Sequence, residues 1–142
     1  KNLDLVIPKN INFLENDLKI LNEFNSNYSK LLDFINNQDI NGYSNFVVER
    51  LFASNKYFND EEPWSKKNDK QRLNTIIYVS LELIRKITIL MYPIIPESAL
   101  KVLNIFDINE DMISFESIKN NKFLQSGKKM KKMSILFKKV GQ

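Results

Sequence analysis

The sequence predicts an all-α protein, an antiparallel helical bundle, on three observations. Apolar residues recur every three or four positions through most of the chain, which is the spacing that gives a helix one apolar face. Only three glycines and four prolines interrupt 142 residues, too few for a fold of many short strands. Hydrophobic residues make up 43% of a chain of single-domain length, so we expect residues 1–142 to form one domain around one core.

The first predicted elements follow one another with short connections. An extended lead-in over 1–11 precedes a first amphipathic helix over 12–36. A polar turn then leads to a second helix, whose start either Asp39 or Asn41 can cap by accepting a backbone N–H. We expect this helix to end before Pro63, because proline cannot continue a helix.

The third predicted helix has the broadest apolar face of the chain. Asn68 and Gln71 have the spacing of a capping box, in which two side chains bond the free N–H groups of a helix start. Glu82 and Lys86 lie one turn apart, and we expect them to form an exposed pair opposite the apolar face. The proline-containing segment 92–96 ends the helix.

A fourth helix is predicted to start at Pro96, whose missing N–H is no loss at the first helical position. It completes a helical bundle over 12–106. The remaining segment, 107–142, has a weak pattern and is predicted to be loop and C-terminal peptide. We expect one short helical turn at 115–119 and a short strand or extended tail at 134–137.

Composition restricts the chemistry of the chain. It contains no cysteine and no histidine, so the best thiol nucleophile, the commonest general base and the commonest zinc ligands are absent. The net charge of +4 favours a polyanionic partner. No apolar run is long enough to span a membrane, and the start of the chain lacks the apolar region of a signal peptide. We therefore expect a cytoplasmic protein with no membrane partner, no metal site and no catalytic residue.

Two further groups of residues have a structural interpretation. Asp60, Glu61 and Glu62 stand at a helix C-terminus, where the helix dipole disfavours negative charge, so we expect a nearby lysine to compensate them. Five phenylalanines in or beside the helical stripes are predicted to lie in the core: Phe13, Phe24, Phe46, Phe52 and Phe106.

The turn at Pro63 and Trp64 contains the only tryptophan of the chain. In one interpretation the indole folds back as a lid on the bundle; in the other it is a platform on which a nucleobase stacks. In the second interpretation Asn55 would hydrogen-bond a base edge from the helix beneath, and Lys66 and Lys67 would contact phosphates. Sequence position alone leaves both interpretations open.

A basic run from Lys128 to Lys132 is the other charged feature. Such a run is usually a solvated or mobile loop, which is our first interpretation. Contact with phosphate groups is the alternative.

The residues around Trp64 resemble a known family. Asn55-Lys56-Tyr57-Phe58 followed by Glu62-Pro63-Trp64 is similar to the Ala-Asn-x-Tyr and Pro-Trp signature in the anticodon-binding domain of bacterial-type methionyl-tRNA synthetases, with Ser54 in place of the alanine. The resemblance continues through Arg72, Ile84-Arg85, Tyr92-Pro93-Ile94-Ile95-Pro96, Ser98-Ala99, Leu103 and Leu136-Phe137-Lys138-Lys139-Val140. It covers nearly the whole chain.

This resemblance implies a domain of a class I aminoacyl-tRNA synthetase that reads the methionine anticodon. Trp64 would stack on an anticodon base, and Pro63 would shape its turn. The parent would ligate methionine to tRNA with ATP bound in its catalytic domain, whereas this piece would hold no cofactor. Since the chain begins at Lys1, we expect a monomeric fragment of a methionine-tRNA ligase that is not itself an enzyme. Its partners would be tRNA(Met) and the parent's catalytic domain.

Three other functions remain open at this stage. The chain could be the anticodon-binding bundle of another class I synthetase, although those lack this Pro-Trp turn. It could also be a helical protein-interaction module whose exposed apolar strip packs on a partner. A stand-alone enzyme has the least support, because no catalytic constellation is visible.

Overall fold

The computed structural model describes residues 6–131, which form a bundle of five α-helices. These are α1 (Glu15–Ser26), α2 (Tyr28–Asn36), α3 (Ile40–Glu61), α4 (Lys70–Met91) and α5 (Pro96–Ile105), with 3-10 turns at Pro63–Ser65, Glu110–Met112 and Phe115–Lys119. The predicted all-α bundle is confirmed, as are the helical turn at 115–119 and the helix start at Pro96. Within 6–131, Val6 and Lys129 form an isolated antiparallel bridge and no strand is present. The predicted strand or tail at 134–137 lies outside the described residues.

The prediction of a single first helix over 12–36 is wrong, because the helix is broken at Asn27. This residue leaves helical geometry, with φ −107° and ψ 13°. Its side-chain Nδ2 donates to the Glu23 carbonyl at 2.8 Å, and the Ser26 hydroxyl donates to the same oxygen at 3.4 Å. Short polar side chains that bond nearby carbonyls compete with the helical backbone, and here they divide the segment into α1 and α2.

Aspartates cap the two longest helices. At the start of α3 the Asp39 carboxylate accepts from the Gly42 N–H at 2.9 Å, which confirms Asp39 among the two predicted candidates. At the start of α4 the cap is Asp69, which accepts from the Arg72 N–H at 3.1 Å. The predicted capping box of Asn68 and Gln71 is therefore wrong by one position. A charged acceptor at Asp69 also complements the positive end of the helix dipole.

The core is arranged around α4, which packs against α1, α3, α5 and the 115–119 turn. Its buried apolar residues include Ile76, Val79, Leu83, Ile87 and Leu90. Of the five phenylalanines predicted to be in the core, Phe24, Phe46 and Phe106 are buried and Phe13 is partly buried. Phe52 is 66% exposed, so that prediction is wrong. It lies on the outer side of α3 beside Val48 and Leu51, which are also exposed.

A buried ion pair on α4 fixes the segment that follows α5. Glu82 and Arg85 are both fully buried and are joined at 2.7 Å. The second oxygen of Glu82 accepts from the Leu124 N–H at 2.7 Å, while Arg85 donates to the carbonyls of Ser117 and Asn120. The pair thus satisfies backbone groups that have no helix or sheet partner.

Lys86 is also fully buried, so the predicted exposed pair with Glu82 is wrong. Its ammonium donates to the Leu21 carbonyl at 3.1 Å and to Asn121 Oδ1 at 2.5 Å. Burial lowers the pKa of Lys86 to about 7, with a further lowering by the charge of Arg85 that Glu82 opposes. The lysine therefore changes charge near neutral pH.

The lead-in and the basic run are joined to each other and to the bundle. Ile7 is buried, its N–H donates to the Lys128 carbonyl at 2.9 Å, and the Gly127 N–H donates to Ile7 at 2.6 Å. The Lys131 N–H donates to the Ile105 carbonyl at 2.9 Å. The described lysines of the run are exposed, as both the solvated interpretation and the phosphate-contact alternative require, and their backbone is held in place. In 6–131 no helix is both long and apolar enough to cross a membrane.

Lys86 makes the stability of the fold depend on pH. Between its folded pKa and its ordinary value of 10.5 the unfolded chain binds more protons, so the free energy of unfolding should rise with pH. We expect a rise of up to about 1.4 kcal/mol per pH unit between about pH 7 and 9, measured by urea unfolding. Lys86→Met should abolish the rise, whereas Lys30→Met, at an exposed position, should keep it. A flat wild-type profile would contradict the prediction.

The α4 cap can be tested against its neighbour in the chain. Asp69→Ala removes the acceptor for the Arg72 N–H, and we expect it to lower the free energy of unfolding by about 1 kcal/mol. Asn68→Ala removes a similar exposed side chain that does not cap the helix, and should change stability by much less. Equal effects in thermal unfolding would argue against Asp69 as the cap.

Candidate nucleic-acid interface

The turn that carries Trp64 begins where α3 ends. Glu62 adopts a left-handed conformation, with φ 48° and ψ 64°, and so reverses the chain direction after Glu61. Pro63 then opens a single 3-10 turn that is closed by the Ser65 N–H, which donates to the Glu62 carbonyl at 2.9 Å. The Pro63 side chain is buried, whereas the neighbouring Trp64 is exposed.

Trp64 does not cover the core. It is 57% exposed, and its ring lies 6.1 Å from the Phe58 ring at an angle of 59°. Phe58, at 39% exposure, is itself at the surface of α3. The arrangement matches the platform interpretation better than the lid, because the indole is supported on one side and open to solvent over most of its surface.

The other predicted site residues differ in their placement. Asn55 is exposed three positions before Phe58, and therefore lies on the same side of α3. Lys67 is exposed next to the turn. Lys66 is half-buried, and its ammonium donates to the Glu61 carbonyl at 2.6 Å. The structure thus leaves Asn55, Trp64 and Lys67 exposed on α3 and in or next to the turn, whereas Lys66 is engaged at the helix end.

The negative charge of the acidic cluster at the end of α3 is compensated by lysines, as the sequence predicts, and also by an arginine. Lys56 pairs with Asp60 at 2.7 Å on the exposed side. Lys66 neutralises the helix end through the Glu61 carbonyl. Arg72 from α4 pairs with the Glu61 carboxylate at 2.8 Å, which sequence reasoning did not anticipate.

Beneath the turn lies a buried network centred on Asp17 of α1, a residue that sequence reasoning missed. Its carboxylate is fully buried and accepts the Tyr57 hydroxyl at 2.6 Å and the Leu14 N–H at 2.8 Å. Arg72 donates to both of its oxygens, at 2.7 and 2.9 Å. One signal was available in the sequence: Asp17 lies on the apolar stripe of its helix, three residues after Leu14 and four before Leu21.

The network keeps Asp17 ionised although it is buried. Burial by itself raises the pKa of Asp17, but hydrogen bonds from Arg72, Tyr57 and the Leu14 N–H outweigh it and hold the pKa below its usual range. Hydrogen bonding to Asp17 raises the pKa of Arg72 further above its already high value. Burial and the Asp17 carboxylate raise the pKa of the Tyr57 hydroxyl. The three groups therefore keep one charge state through the physiological pH range.

The described chain also contains an apolar groove away from this turn. An apolar groove of about 650 Å³ lies at the far end of α3 and is lined by Phe34, Ile40, Tyr43 and Ile94 among others. It is remote from the Trp64 turn, because Ile40 and Glu61 are the opposite ends of a 22-residue helix. Across 6–131 no cluster of acidic side chains is placed to hold a metal ion.

Comparison with known proteins shows the family to which the chain is similar. The chain matches the family model of the anticodon binding domain of methionyl tRNA ligase over residues 7–142. It is 29% identical over 140 residues to the methionine–tRNA ligase of Pyrococcus horikoshii, which covers 96% of this chain and 18% of that protein. It is also 29% identical over 119 residues to the Brucella suis enzyme, with 83% of this chain and 23% of that one covered. The chain thus spans about a fifth of the length of these relatives.

A solved structure shows the same fold. The free form of Mycobacterium tuberculosis methionyl-tRNA synthetase superposes with a TM-score of 0.79 and 26% identity, over 92% of this chain and 27% of that one. From the family match over nearly its full length, the chain belongs to the family of anticodon-binding domains of methionyl-tRNA ligases.

Proposed function

We propose that this chain recognises the anticodon of the methionine tRNA, with Trp64 as the platform for an anticodon base. The observation that carries this proposal is the 57% exposure of the only tryptophan, which is supported by Phe58 on an anchored turn. Single-stranded RNA loops present unstacked bases to aromatic side chains. Each stacked base contributes about 1 to 3 kcal/mol to binding.

The neighbouring residues have separate roles in this proposal. Asn55, on the same side of α3 as Phe58, supplies an amide that can donate to and accept from a base edge. Pro63 holds the turn by its buried ring. Lys67 meets the phosphate backbone, and Lys66 does so only if its ammonium leaves the Glu61 carbonyl.

We further propose that the chain works as part of a longer methionine–tRNA ligase in the cytoplasm. The chain covers only 18% and 23% of the lengths of two relatives that it matches. In this proposal the parent's catalytic domain binds ATP and joins methionine to the tRNA. The present domain contributes recognition, holds no cofactor and acts as a monomer, with tRNA(Met) and the catalytic domain as its partners.

A second candidate function has one observation in its favour. Val48, Leu51 and Phe52 form an exposed apolar surface on α3, as a protein-interaction module would require. Salt separates the two functions. Affinity for RNA falls steeply with salt through counterion release, whereas an apolar protein contact changes little.

Removal of the indole tests the platform. Trp64→Ala should weaken binding of a methionine anticodon stem-loop by about 1 to 3 kcal/mol, because one base loses its stacking partner. The thermal stability of the fold should change little, since the side chain is mostly exposed. Binding is measured by fluorescence polarisation of a labelled stem-loop, with a one-base anticodon variant as the RNA control.

Phe52→Ala is the matched protein control for that experiment. It removes another exposed aromatic ring from the same helix, at a position one helical turn before Asn55 that does not contact Trp64, and it should weaken binding much less than Trp64→Ala. Equal losses from both substitutions would refute a specific role for Trp64.

Lys67 tests the phosphate contact. Lys67→Gln should weaken the cognate and the variant stem-loop equally, because phosphate contacts carry no base information. The slope of log affinity against log salt should become less steep by about 0.7 to 0.9. Lys30→Gln removes an exposed lysine from α2 and should leave the slope as it is. A slope that is identical in all three proteins would exclude Lys67 from the contact.

A further inference from the structure

We propose that Arg72 is a positioning residue for Trp64, which it orients through Glu61. This inference rests on the proposed function, since it concerns how the platform for the anticodon base is held. The side chain of Arg72 is only 12% exposed and donates three hydrogen bonds to Asp17 and Glu61, so Arg72 acts on the turn through these carboxylates and not as a direct ligand for RNA.

The first step is the geometry of the guanidinium group. Arg72 lies in the first turn of α4, and one of its nitrogens, Nη2, donates both to Asp17 Oδ1 at 2.9 Å and to Glu61 Oε1 at 2.8 Å. Its Nη1 donates to the second oxygen of Asp17 at 2.7 Å. A planar group that is bonded on two edges cannot rotate freely, and this one fixes the end of α3 relative to α1 and α4.

The second step is the short path from Glu61 to the indole. Glu61 is held at three points. Its two carboxylate oxygens accept from Arg72 and from Asn16, and its backbone carbonyl accepts from the Lys66 ammonium. Only two residues separate it from Trp64. One of them is Pro63, whose ring fixes φ and is buried. The direction in which the indole projects therefore follows the position of Glu61.

The third step concerns charge. A carboxylate close to an RNA-binding surface repels phosphate groups, so Glu61 is unfavourable for binding if its charge is considered alone. A salt bridge elsewhere in the bundle would not place a carboxylate where it repels the phosphate groups of bound RNA. The salt bridge between Arg50 and Glu23, at 2.5 Å, joins α3 to α1 in the same way but far from the turn.

These two salt bridges give a charge-matched experiment on the full chain. Glu61→Ala and Glu23→Ala each remove one carboxylate, break one salt bridge between α3 and a neighbouring helix, and raise the net charge by one. Charge alone predicts that both variants bind the anticodon stem-loop slightly more tightly. Positioning predicts instead that Glu61→Ala binds about three- to tenfold more weakly, because the loosened turn must be ordered on binding. Glu23→Ala should not lose affinity.

Trp64 fluorescence provides a readout that a general loss of stability would not move. Because Trp64 is the only tryptophan, the anisotropy of the free protein reports the mobility of this turn directly. We expect lower anisotropy and stronger acrylamide quenching in Glu61→Ala, and wild-type values in Glu23→Ala. Arg72→Gln should give the same low anisotropy and strong quenching. Because this substitution leaves the buried Asp17 without its arginine, the variant protein could fail to fold. In that case Glu61→Ala alone tests the positioning role.

The outcomes separate this inference from the proposed function. If Glu61→Ala keeps the wild-type anisotropy and binds the stem-loop at least as tightly as wild type, the positioning role of Arg72 is overturned. If Trp64→Ala itself does not weaken binding, the stacking platform fails, whatever Glu61→Ala does. The positioning role and the stacking platform are both supported if Trp64→Ala weakens binding and if Glu61→Ala, but not Glu23→Ala, shows weaker binding and lower anisotropy.

Discussion

Burial of α4 on nearly every side is the constraint on which the rest of the structure depends. A helix in that position has little solvent-exposed face for its charged residues, so Glu82, Arg85 and Lys86 must find partners on other elements. They find them in the carbonyl and N–H groups of the segment after α5 and in the Leu21 carbonyl. The irregular C-terminal part of the described chain is therefore held by polar bonds from the centre of the bundle.

The same principle operates at the other end of α4, where the candidate interface lies. Arg72 in the first turn joins the buried carboxylate of Asp17 to the last residue of α3. The packing of the bundle and the candidate interface thus depend on the same contacts. The residues that hold α1 against α3 and α4 also determine where the Trp64 turn begins. A surface aromatic residue gains a fixed orientation in this way without being buried.

Local sequence patterns predict some features of the fold correctly and miss others. Proline positions predict the end of α3 and the start of α5 correctly, whereas the sequence left open whether Trp64 is a lid or an exposed platform. Periodicity shows which face of a helix is apolar, but not how many neighbours the helix has, so the burial of Glu82 and Lys86 was missed. The contact between Asp17 and Arg72 joins positions 55 residues apart, and no local signal encodes such a pair.

The absence of histidine has a consequence for the proposed RNA-binding surface. Histidine is the side chain whose ordinary pKa lies closest to neutrality, and this chain has none. Lys86, which burial brings into that range, lies inside the bundle. The electrostatic potential that the domain shows to a polyanion should therefore stay nearly constant while the acidity of its surroundings varies. The charge of the proposed RNA-binding surface should stay the same as the pH varies, whereas the free energy of unfolding responds to pH through Lys86.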